Sequence, residues 1–139
     1  MGVAHWRLFY NEAVETVAFE ELVIAAVEAL PQEFRDLLDN VDVVITDRPT
    51  DAQRRLSGRR CILLGLYEGV PRIARGVHYQ LALPDKITLF QGNIEESCRL
   101  PEEIPARITS VVRHEIAHHF GLTDEELGRI ERRTRSAER

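Results

Sequence analysis

The sequence is poor in the features that mark a stapled, anchored or nucleic-acid-binding chain. It has two cysteines, Cys61 and Cys98, which form no C-x-x-C pair and cannot build a disulfide framework. No apolar run approaches the roughly 20 residues that a membrane span requires. Glu12, Glu15, Glu20, Glu21 and Glu28 fall where a secretory signal would need an unbroken apolar stretch. Lysine is nearly missing, for Lys86 is the only one and the other basic residues are arginines. The net charge of -5 and a pI near 5.6 leave no basic stripe for phosphates, which argues against nucleic acid as a partner. Two arginine clusters, Arg54/Arg55/Arg59/Arg60 and Arg129/Arg132/Arg133/Arg135, read as solvated faces. The expectation is a reduced, cytoplasmic protein with neither a membrane nor a nucleic acid as partner. Nothing in the sequence speaks to its oligomeric state.

What is present suits one domain over residues 1–139, with frayed ends. A chain of 139 residues buries about two-thirds of its unfolded surface, enough to stand without staples. Its 44% apolar and 29% charged residues are ordinary for a globular fold.

Phe19, Leu22, Val23, Ala26, Val27 and Leu30 recur at helical spacing and predict a helix over 15–30. Pro31 opens a second short helix to Asp39, with Phe34, Leu37 and Leu38 inward. VDVVIT (41–46), RCILLGLY (60–67) and KITLF (86–90) read as strands. An irregular connection is expected over 49–59, turns at 68–71 and at Gly92-Asn93, and edge strands or an ordered loop between 71 and 83. His5 and Trp6 are expected to pack locally near the N-terminus, and Cys61 in the core. A long helix from about Pro101 to Phe120 and a last one from about Asp124 to Arg135 complete the reading.

The long helix carries His114-Glu115-Ile116-Ala117-His118, the H-E-x-x-H pattern. Residues four apart on a helix lie about 40° from each other and one turn apart, so both imidazoles can reach one metal ion. Glu115 lies beside the first imidazole, within reach of a water held there. Ile108, Val112, Ile116 and Phe120 form an apolar stripe for the core. A catalytic zinc takes three protein ligands and a water. Gly121 can end the helix in a left-handed turn and bring Asp124 back toward the imidazoles, so the full pattern is H-E-x-x-H-x-x-G-x-x-D. H-E-x-x-H alone would arise in roughly two of a hundred shuffled chains, and the added Gly and Asp lower that to about one in ten thousand. Asp124 also has a structural reading, since Thr123-Asp124-Glu125-Glu126 is a helix start with Thr123 as N-cap and Glu126 as its capping-box partner. Glu125, Glu126 and Glu131 stand as substitutes for the third ligand.

HEIAHHFGLTDEEL resembles the active-site helix and turn of zincin metallopeptidases, in the variant of the metzincin motif whose third ligand is Asp. With the helix ending in ALPQEF, the segment LGLYEGVP and the strand LPDKITLF, the chain resembles a family of small bacterial zincin-like metallopeptidases, the minimal zincins. The resemblance covers about Glu15 to Leu127. It implies an α+β fold of compact zincin-like form, in which a small twisted mixed sheet of about three to five strands packs on the N-terminal and active-site helices, with a short C-terminal helix. It implies one zinc per chain on His114, His118 and Asp124, Glu115 as general base, and a peptide or protein substrate.

Two departures from full-length metzincins stand out. Met1 is the only methionine, so there is no Met-turn, and the residues after Asp124 are too few for the usual lower subdomain. The alternative reading is therefore a metal-stabilised binding or regulatory module that keeps the site without proteolysis. His119 is a further candidate, half-exposed or a contact to ligands or substrate. His78 and Tyr79 could steady an oxyanion. Tyr67-Glu68-Gly69 could border the site, though a turn is the simpler reading.

Overall fold

The computed structural model describes residues 6–10, 17–58, 62–69 and 84–137, with side chains over 18–58, 62–69, 84–123, 125–133 and 135–136. In chain order the elements are β1 (Trp6–Tyr10), α1 (Val17–Glu28), α2 (Gln32–Leu37), β2 (Val41–Thr46), α3 (Asp51–Ser57), β3 (Gly65–Glu68), β4 (Asp85–Phe90), α4 (Gln91–Glu96), a 3-10 turn (Pro101–Glu103), α5 (Ile104–Phe120) and α6 (Asp124–Ala137). The strands form a mixed four-stranded sheet in the order β1-β2-β4-β3. β1 and β4 both run parallel to β2, and β3 runs antiparallel to β4. This is the compact α+β arrangement that the sequence predicts.

Register explains which residues make the core. Val43 pairs with Ile87 and Ile45 with Leu89, while Tyr67 and Gly65 oppose the same two β4 residues. Side chains alternate across a strand, so these positions share one face of the sheet. That face meets Phe19, Val23 and Val27 of α1, Phe34 and Leu38 at α2, and Ile108, Val112 and Ile116 of α5 in one buried cluster. Leu63, Leu66 and Phe90 form a smaller cluster. Both α1 and α2 bury the residues assigned to them by periodicity, with Leu22 and Leu37 partly buried at the margin.

Four details differ from the sequence reading. Trp6–Tyr10 is a strand, paired along β2 from Trp6↔Val41 to Tyr10↔Ile45, and not a local cluster at the terminus. Residues 51–57 are helical because Thr50 and Gln53 form a reciprocal capping box, and Gly58 closes the helix at φ 64°. Gly92-Asn93 lies inside α4: the Gly92 N–H donates to the Asp47 carbonyl at 3.0 Å, and a side chain at 92 would strike Asp47 and Arg48. Residues 62–64 are not strand, so β3 is shorter than RCILLGLY suggested. The expectations for 71–83, His5 and Cys61 fall outside the described residues. Among the described residues, no helix is long and apolar enough to cross a membrane.

Arg48 ties β2 to α4 by hydrogen bonds to Asn93 and to both oxygens of Glu96. These bonds hold the Glu96 carboxyl below its ordinary range. Their contribution is therefore in place above the ordinary carboxylate pKa and fades as pH falls through the lowered value.

β3 lies along α5 in matching steps. A Cβ on Gly65 would sit 2.5 Å from Val111 Cγ1, the Tyr67 N–H donates to Glu115, and a Cβ on Gly69 would sit 2.9 Å from His119 Cε1. Two strand residues advance about 6.7 Å and four helical residues about 6 Å, so the pairs 65/111, 67/115 and 69/119 stay in step. Gly65 is thus required by proximity to α5. Gly65→Ala should cost about 1–3 kcal/mol by overpacking, and Val111→Ala in the same chain should recover part of it. Urea unfolding of the single and double variants checks this, and an unchanged midpoint for Gly65→Ala would refute the close approach.

Candidate active site

α5 presents three distinct faces because each residue turns the helix by about 100°. Ile108, Val112 and Ile116 are fully buried. The apolar stripe does not extend to Phe120, which is exposed: three steps of four residues carry a position about 120° around the axis from Ile108. Phe120 instead meets the rings of Tyr67 and His119 edge-on, at 5.9 and 4.9 Å between centroids.

The second face carries His114 and His118, both exposed. The third looks to β3 and holds Glu115 and His119. Glu115 is 4% exposed, and its Oε2 accepts the Tyr67 backbone N–H at 3.2 Å. Because that N–H points to α5, the edge of β3 away from β4 borders the helix. His119 stacks on the Tyr67 ring at 3.8 Å between centroids and 17° between planes. The Tyr67 hydroxyl donates to Asp85 Oδ2 at 2.9 Å. Tyr67 thus braces Glu115 through its backbone and His119 through its ring, from within the strand in which the sequence places it.

Two hollows open on either side of Glu115. One of about 210 Å³ runs past His114 between Ile62, Leu64, Arg107 and Ser110. The other, about 370 Å³, is bounded by His118, His119, Tyr67, Glu68 and Leu56. The buried carboxylate lies where they meet.

At the end of α5 Gly121 takes φ 68° and ψ 29°. The Leu122 N–H reaches back to the Ala117 carbonyl at 2.8 Å, the six-to-one bond of a Schellman turn, and Leu122 packs on the core. The chain reverses at once into α6, whose first residue is Asp124. Thr123 serves as the cap: its hydroxyl accepts the Glu126 N–H at 3.1 Å and donates to the Glu126 carboxylate at 3.3 Å. The cap therefore needs nothing from Asp124. Of the substitutes for a third ligand, Glu126 is bound to Thr123, and Glu131 is paired with Arg113, a guanidinium whose pKa burial lowers.

His114 and His118, two nitrogen donors one turn apart, fit the N/O donor preference of zinc. Among the described residues no three His, Cys, Asp or Glu side chains gather into a metal cluster. The Asp124 side chain, like His78 and Tyr79, lies outside the described residues. Sequence reading undervalued Tyr67 and did not single out Gly65 or Asp85. The signal for the first two was in LGLYEG, where Gly65, Tyr67 and Gly69 share one strand face and the glycines clear it for a helix.

A family model described as zincin-like metallopeptidase matches residues 38–134, a stretch running from the end of α2 into α6. No curated protein matches the chain.

No atom lies within 4 Å of a Cβ built on Gly121, so only its left-handed backbone resists substitution. Gly121→Ala should lose about 1–2 kcal/mol, and Gly121→Asn should lose clearly less. Thermal unfolding of the two variants measures this, and equal stability of Gly121→Ala and wild type would contradict the turn.

Proposed function

The chain belongs to the zincin-like metallopeptidases, and on that footing we propose that it is a zinc-dependent hydrolase of peptide bonds, with Glu115 as general base and His114, His118 and Asp124 holding the metal. The observation that carries this reading is the seat of Glu115. A carboxylate is withdrawn from solvent and pinned through one oxygen by the Tyr67 N–H, on the helix that offers two imidazoles one turn apart. Burying a carboxylate is costly unless it is hydrogen-bonded, and this one sits between the two hollows, where a substrate can reach it.

Zinc bound there supplies Lewis acidity, which brings water toward a nucleophile near neutral pH and polarises a carbonyl. Glu115 takes the proton of the attacking water on its carboxylate and later returns it to the leaving amine. The Tyr67 N–H fixes the orientation of Oε2, so the proton-accepting group does not have to be reoriented during the reaction. An extended peptide could run through the two hollows that meet at Glu115, which would bring one of its bonds over that carboxylate. The stacked Tyr67 and His119 rings then wall the hollow on the His118 side.

Glu115→Gln keeps an acceptor for the Tyr67 N–H and removes the base. It should retain the metal and lose at least about a hundredfold in cleavage of a degenerate peptide pool, followed by mass spectrometry of the fragments. Undiminished cleavage would overturn the mechanism.

A further inference from the structure

Arg107 stands apart from the other arginines around the site. It lies seven residues before His114, about 20° away around the helix, and so on the same face of α5 as the imidazoles. It lines the hollow that contains His114 and Glu115 and is exposed. Among the described residues it has neither an ion-pair partner nor a hydrogen bond. Arg113, the other arginine of α5, pairs with Glu131, and the described arginines that, like Arg107, form no ion pair, Arg55, Arg99 and Arg129 among them, line neither hollow. In a chain with a net charge of -5, an uncommitted guanidinium lining the same hollow as Glu115 and His114 has the chemistry to recognise an anion.

The rest of the hollow narrows the choice of anion. The same hollow is lined by the apolar side chains of Ile62, 74% exposed, and Leu64, and Ser110 adds a hydroxyl. One cation beside an apolar wall suits a carboxylate carried on a peptide better than a densely charged phosphate, which draws several donors. Seven helical residues span about 10.5 Å, the length of about three extended residues, and the reach of the arginine side chain can shorten that by one.

Resting on the peptidase reading above, we propose that Arg107 forms a carboxylate-binding subsite, selecting peptides with an acidic side chain or a free C-terminus about two or three residues from the cut bond. A guanidinium binds a carboxylate through two parallel hydrogen bonds, and the apolar wall holds the neighbouring part of the peptide. Exposure to solvent limits the gain, so the preference is modest.

The test uses the full chain, zinc-loaded and carrying Glu115→Gln so that nothing is cut. A degenerate octapeptide pool is equilibrated with it, once with free and once with amidated C-termini, and the retained peptides are identified by mass spectrometry. Peptides bearing a carboxylate should be enriched about three- to tenfold. Adding Arg107→Gln should abolish the enrichment, and Arg107→Glu should turn it toward lysine. Enrichment confined to the free-terminus pool assigns the subsite to the terminal carboxylate, and enrichment of Asp and Glu in both pools assigns it to side chains. Retention profiles identical with and without Arg107, or no retention of any peptide, would overturn the proposal. Digesting the same pools with the wild-type protein separates the two readings. Selective binding without cleavage would sink the hydrolase and leave the subsite, whereas cleavage indifferent to carboxylates would do the reverse.

Discussion

The site depends on a strand and a helix lying side by side in matched steps. β3 touches α5 at Gly65 over Val111, at Tyr67 against Glu115 and at Gly69 beside His119. The match works because two strand residues and one helical turn have nearly the same length. It is tolerated because the strand offers glycine wherever its β-carbon would strike the helix. With a larger residue at 65 the helix would stand off, the Tyr67 N–H would lose Glu115, and the carboxylate would be buried without its donor. Packing and orientation are therefore one constraint here: the approach that closes the core also orients the Glu115 carboxylate.

The same helix divides its labour by angle. Residues aimed at the sheet and α1 are apolar and fully buried, those aimed along β3 are Glu115 and His119, and those turned to solvent include Arg107, His114 and His118. The helix ends where Gly121 adopts a left-handed conformation that other residues resist, and the short link leads directly to Asp124. Thr123 caps the next helix, and Glu126 and Glu131 are engaged elsewhere. Of the substitutes for a third ligand, Glu125 is the one that neither the cap nor Arg113 claims among the described residues.

How much of this the sequence disclosed follows from the range of the interactions. Helical periodicity is local, so α1, α2, α5 and α6 were legible, as was the close spacing of His114, Glu115 and His118. β2 and β4 were legible as β-branched runs. The capping box of α3 was local too, and Thr50 and Gln53 would have shown it. β1 was not legible because five residues near the N-terminus gain their strand state from pairing with β2, more than thirty positions later. The Tyr67–Glu115 bond joins residues 48 positions apart, and no pattern within either segment states it. Arg107 was hidden for the opposite reason: it is one arginine among many, and only the hollow it lines sets it apart.

The central claim is that His114, His118 and Asp124 hold a metal ion beside Glu115. It is tested most directly by elemental mass spectrometry of the wild-type chain and of Asp124→Ala, each purified without added metal or chelator. The account predicts one zinc per wild-type chain and a zinc content lost or much reduced in the variant. A wild-type chain that carries no metal even after zinc is offered would contradict it, and the motif would then be a helix with two exposed histidines.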